Sequence, residues 1–257
     1  MTQGIAQKFT DAAWRSANIV IPPLPVLSVP TTLWAYLGTS LAASQNMVAG
    51  APPIIEVGTP EYPTLPIGNV IRAGPTTSSL PYGKGYLDTQ VPDESKSFTL
   101  VFAARENGIG AGAAVPLACG KVGNAGGTIR VLLGFAAGGG GGLQCAIVGP
   151  NLAPVLPVAN YYRLKTYLIT YDDPTFTMSI YDLTDGTSIT ATGSSFTRSQ
   201  STNSSFTVGL MPVNTVGTGS ASDVAMVGKI SGSVNATQAA QIGANVRATL
   251  ALTGLMA

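Results

Sequence analysis

The chain has 257 residues, 13 Lys and Arg against 12 Asp and Glu, a net charge of +1 and no histidine. That balance offers nothing to hold a phosphate backbone, so no nucleic-acid partner is expected. The missing imidazole excludes histidine triads, histidine metal sites and imidazole acid–base chemistry.

Charged residues make up only 10% of the chain, against about 25% in an average soluble domain, and mean hydropathy is +0.31. No run of about 18 apolar residues accompanies this, so no membrane insertion is expected. Low charge without a membrane span points to a surface covered by other subunits, in an obligate oligomer or a larger assembly. The length suits one large β domain.

Residues 1–17 read as a short helix, with Ile5, Phe9 and Ala13 near one face. The opening stretch lacks the apolar core of a signal peptide, and synthesis in a cytoplasm is expected. IPPLPVLSVP (21–30) follows, and its prolines exclude helix and interior strand, leaving an extended arm. It reads either as a passive linker or as a docking arm. The apolar Ile21, Leu24, Val26, Leu27 and Val29 favour docking, because a free linker would be polar. Trp14 and Trp34 are assigned to the same arm as interface anchors. The arm is placed at residues 1–35 and the folded domain at 36–257.

Short strands are expected at Ile54–Val57, Val70–Arg72 and Tyr86–Thr89. SFTLVFAARE (97–106) alternates with both faces apolar, the mark of a central strand. TIRVLLGFAA (128–137) and LQCAIVG (143–149) flank five consecutive glycines. Each flank is a lone strand with apolar residues to bury, so the glycines read as a hairpin tip rather than an interdomain linker. YRLKTYLITYDD (162–173), FTMSIYDL (176–183), TSITATG, SSFTVGLM (204–211) and SDVAMVGKI (222–230) continue the strands, with turns at Asp172–Pro174 and Asp185–Gly186. NATQAAQIGANVRATLAL (235–252) is the one strong helix, with Asn235 as its cap and Gln238 at the reciprocal position. Cys119 and Cys145 read as reduced, buried thiols. Many short strands and one terminal helix describe an all-β, two-sheet jelly-roll sandwich.

Three stretches carry a resemblance: YGKGYLDTQVPDESKSFTLVFAARENG (82–108), YYRLKTYLITYDDPTFTMSIYDLTDGTSI (161–189) and SDVAMVGKISGSVNATQAAQIGANVRATLA (222–251). Over roughly residues 60–252 the chain resembles the concanavalin A-like lectin/glucanase superfamily, in the laminin-G-like form found in bacteriophage and prophage proteins. The resemblance implies a concanavalin A-like sandwich in a virion or tail component, often a homotrimer and sometimes carbohydrate-binding. From it follows the expectation of a non-enzymatic bacteriophage structural protein located in the virion. A tail fibre or baseplate leads, with capsid decoration or a free lectin as alternatives. The arm would meet other virion proteins, and a host surface glycan would be the ligand.

Glycan-cleaving enzymes of this fold use paired carboxylates in an E-x-D-x-E strand, and a retaining mechanism sets the pair about 5 Å apart. The four glutamates here, Glu56, Glu61, Glu94 and Glu106, have no acidic residue two positions away. No catalytic residue is therefore expected, and no cofactor. A calcium site would need about six or more oxygens, which no one loop here supplies, so no metal is expected. Asp93-Glu94, Asp172-Asp173 and Asp182 with Asp185 read as turn chemistry, and Asp223 as a structural hydrogen-bonding group. Tyr162, Tyr167, Tyr171 and Tyr181, beside Tyr161, are the candidate sugar contacts, against the alternative of sheet packing.

Overall fold

A computed structural model describes residues 30–37, 46–65, 68–73, 84–93, 96–106, 115–120, 129–134, 141–147, 152–194, 201–209 and 222–252. In chain order the strands are β1 (Thr31–Tyr36), β2 (Ile55–Thr59), β3 (Thr64–Leu65), β4 (Gly68–Asn69), β5 (Ile71–Ala73), β6 (Lys84–Asp93), β7 (Phe98–Glu106) and β8 (Val115–Gly120). There follow β9 (Ile129–Leu133), β10 (Gly142–Ile147), β11 (Val155–Pro157), β12 (Lys165–Asp172), β13 (Thr177–Asp182), β14 (Thr187–Thr192), β15 (Ser201–Val208), β16 (Ser222–Ile230) and the helix α1 (Ala236–Leu252). One sheet runs β1-β16-β7-β12-β13-β14, with β5 also on β16. The other runs β11-β10-β9-β8-β15-β6-β2, and β3-β4 is a separate small ribbon. The fold is an all-β sandwich of antiparallel sheets with one C-terminal helix.

Alternation in β7 explains the layering. Phe98, Leu100, Phe102 and Ala104 enter the core between the sheets, while Val101 and Ala103 enter a second core beneath α1. A strand buried on both faces must be apolar on both, as 97–106 is. The helix contributes Ala239, Ile242, Val246 and Leu250 to that second core, one stripe at helical spacing. Its start is fixed by a reciprocal pair: the Gln238 amide donates to Asn235 Oδ1 at 2.9 Å, and the Asn235 amide donates to Gln238 Oε1 at 2.9 Å.

The strands flanking the five glycines pair with each other, from Leu143 opposite Leu133 to Ile147 opposite Ile129. The glycine run therefore joins two neighbours of one sheet. The expected strands occur with edges shifted by a few residues, and β1, β3, β4, β8 and β11 are strands that the sequence pattern did not announce.

The expected boundary at residue 35 is corrected. It falls inside β1, which pairs with β16 from Thr31 opposite Ile230 to Tyr36 opposite Met226. Trp34, expected as an anchor in the arm, is 1% exposed and belongs to the core under α1. The pairing of TTLWAY with β16 buries its Leu33, Trp34, Ala35 and Tyr36, so these side chains are spent inside the domain. Trp14, Ile21, Leu24, Val26 and Leu27 lie outside the described residues.

Candidate functional site

The outer face of β13 and β14 is polar, because alternation sends Met178 and Ile180 inward and leaves Thr177, Ser179 and Tyr181 outward. The opposing positions on β14 are Thr192, Thr190 and Ser188. Hydroxyls bridge the two strands, at 3.3 Å for Thr177 to Thr192 and 2.8 Å for Ser179 to Thr190. This face forms one side of an open cleft of about 530 Å³. Thr170, Asp172, Thr177, Ser179 and Tyr181 line it from the sheet, and Thr175 closes one end. Ser233, Val234, Asn235 and Gln238 form the opposite wall, where the chain enters α1.

That wall is held by buried hydroxyls. Thr99 Oγ1 donates to the Gly232 carbonyl at 2.7 Å and lies 2.9 Å from Thr170 Oγ1, which accepts the Val234 amide at 3.0 Å. Asp172 ties the two walls together. Its Oδ1 accepts Ser233 Oγ at 2.9 Å, and its Oδ2 accepts Thr175 Oγ1 at 2.6 Å. A cleft lined by hydroxyls, amides, one carboxylate and one tyrosine can hydrogen-bond a polyhydroxylated ligand at many points and offers an aromatic ring for C–H contact. Among the described residues no three histidine, cysteine or carboxylate side chains gather as metal ligands would.

The four candidate tyrosines separate. Tyr181 lines the cleft. Tyr167 and Tyr171 are 0% and 1% exposed, inside the core between the sheets. Their assignment as sugar contacts is corrected: they share the inward face of β12 with Ile169 and reach no solvent, the outcome of sheet packing. Tyr162 is 50% exposed and pairs with Tyr161, with ring centroids 4.4 Å apart and hydroxyls 3.1 Å apart. That pair sits just before β12, at the end of the strand opposite Thr170 and Asp172, and does not line the cleft. Asp172, Ser179, Asn235 and Gln238 were missed as cleft residues. A readable signal existed in FTMSIYDL, where Thr, Ser and Tyr occupy one face of a strand.

The acidic turns have structural roles. Asp182 Oδ1 accepts the amides of Thr184 and Asp185, both at 3.0 Å. The buried Lys165 ammonium donates to Asp182 at 3.0 Å and Asp185 at 2.5 Å, which fixes the β13–β14 turn against the base of β12. Glu106 ends β7 at 3% exposure, and its amide donates to the Tyr161 carbonyl at 3.0 Å. Burial pushes the Glu106 carboxyl up to about 7. A carboxyl raised in the folded state is least costly when protonated. Its stabilising contribution is full below the ordinary glutamate range and is lost as pH rises through about 7. Glu106→Gln is therefore expected to raise the unfolding midpoint at pH 8 and leave it nearly unchanged at pH 4, as read by thermal denaturation at both.

No protein-family profile matches the sequence, and no curated protein is similar to it in sequence. Solved structures do resemble it in fold. The fourth domain of AbnA, a GH43 extracellular arabinanase from Geobacillus stearothermophilus, solved with arabinotriose, superposes with a TM-score of 0.56 at 12% identity, over 84% of this chain and 98% of that one. The binding domain of botulinum neurotoxin DC in complex with SialylT gives 0.59 at 11% identity, over 84% of this chain and 51% of that one. The binding domain of botulinum neurotoxin serotype C1 gives 0.58 at 12% identity, over 82% and 50%. The chain thus spans about half the length of the neurotoxin binding domains, and at these identities the likeness shows the fold alone.

Proposed function

We propose that this chain is a glycan-binding β-sandwich that acts without turnover, and that it serves in a bacteriophage virion, in a tail fibre or baseplate that contacts host surface sugars. The observation that carries the binding role is the cleft of about 530 Å³ between β12–β13 and the start of α1. Its lining is hydroxyl, amide and carboxylate around Tyr181, the chemistry that meets sugar hydroxyls and an apolar sugar face. Two neighbours of the same fold support it: one was solved with arabinotriose and another with SialylT. The absence of turnover is supported by glutamates that lack acidic neighbours at strand spacing.

The virion setting rests on other features. The proline-rich, apolar segment 21–30 and the 10% charged content suit a protein whose surface is shared with other subunits. A homotrimer joined to other virion proteins through residues 1–29 is the assembly that follows. The three stretches 82–108, 161–189 and 222–251, read above as resembling phage proteins of this fold, support the same setting.

Ser179→Trp tests the binding role. Ser179 faces the cleft from an exposed strand position, where an aromatic residue suits the strand and fills the space a sugar would take. On a glycan array, the unmodified chain is expected to retain a defined set of oligosaccharides and Ser179→Trp to lose at least about tenfold in affinity for them, with an unchanged unfolding midpoint. Equal retention by both proteins would reject the cleft as the site.

A further inference from the structure

We infer that the cleft takes neutral glycans and turns away acidic ones, whether the acid is a sialic, uronic or phosphoryl group. This rests on the reading of the cleft as a glycan site. Asp172 supplies the one full charge among the lining residues, and it is negative. Among the described residues its carboxylate accepts from Ser233 and Thr175, both neutral hydroxyls, and no lysine or arginine forms an ion pair with it.

Two cations of the surrounding elements are engaged elsewhere. Lys165, at the far end of β12, is held by Asp182 and Asp185. Arg247 of α1 donates to the Leu183 carbonyl. Lys96, exposed ahead of β7, neighbours Asp173 through Ser97, whose hydroxyl oxygen accepts the Asp173 amide at 3.0 Å, and it does not line the cleft.

One positive influence does face the wall, the start of α1, which carries roughly half a unit charge. Its Asn235 and Gln238 amides are already taken by each other's side-chain oxygens, and the full charge of Asp172 stands beside it. A sugar hydroxyl can donate to the Asp172 carboxylate and accept from Ser179. A ligand carboxylate or phosphate can only accept, and it meets Asp172 as a like charge.

The test uses matched pairs of oligosaccharides, each neutral member printed beside the same chain carrying a terminal sialic or uronic acid, with titration of the retained pairs. The expected result is binding of the neutral member at least about fivefold tighter. The gap should narrow in Asp172→Asn, which keeps a side-chain oxygen acceptor, and at high salt. Acidic members bound as tightly or more tightly, with binding lost in Ser179→Trp, would overturn this inference and leave the cleft as the glycan site. Binding that Ser179→Trp does not alter, or no binding of any pair, would overturn the functional reading and this inference with it.

Discussion

Replacing Trp34 with alanine is expected to lower the stability of the folded protein by about 3–5 kcal/mol. Trp34 is among the largest fully buried side chains, and it lies directly across from Gly228 of β16. The space above Gly228 belongs to its ring: a Cβ there would come within 2.7 Å of the indole. Gly228→Ala should therefore destabilise the parent protein but cost less in a Trp34→Ala background, where the space is empty. Chemical denaturation of the four proteins in that cycle measures the coupling. β1 is also closed along its length by Asn46, whose Oδ1 accepts the Trp34 amide at 3.1 Å and the Val48 amide at 3.2 Å. A truncation at residue 29 leaves this strand intact. One at residue 36 strips it from β16 and uncovers the core beneath α1. Cooperative unfolding is expected of the first and not of the second.

Asp223→Ala is expected to cost about 3 kcal/mol, the lower part of the range for breaking a buried ion pair. Asp223 is fully buried and serves two arginines from two strands. Arg72 of β5 donates through Nε at 2.7 Å and through a terminal nitrogen at 3.0 Å, and Arg105 of β7 donates through Nε at 3.0 Å. Both are directly opposite Asp223 in register, one on each side of β16. The loss falls at the low end because the Arg72 and Arg105 side chains are 18% and 26% exposed and can turn to water. Asp223→Asn should fall between parent and alanine in a denaturant titration, since it keeps the volume and one acceptor but not the charge.

The sequence carried the fold where a pattern had one physical solution. Lone apolar strands around GGGGG had to pair with each other, and Asn235 with Gln238 had to open a helix. A strand apolar on both faces, 97–106, had to be central. It failed where the answer depended on which layer lay above a face. Tyr167 and Tyr171 share one face of β12, but both faces of that strand are covered, so alternation alone could not tell wall from surface. In β13 it could, since Thr177 and Ser179 mark the wet side and Tyr181 goes with them. TTLWAY was hidden by the prolines before it, which made an interior edge look like the end of an arm. The Arg72–Asp223–Arg105 cluster depends on strand order, and no local spacing encodes that.

The central claim is that a glycan occupies the cleft of β12, β13 and α1. The most direct measurement is a map of amide chemical-shift changes in labelled protein as an array-selected oligosaccharide is added. The predicted result is a cluster of changes at Asp172, Thr175, Thr177, Ser179, Tyr181, Asn235 and Gln238. Changes centred on Tyr161 and Tyr162, or on the outer face of the β6–β15 sheet, with the cleft silent, would contradict it.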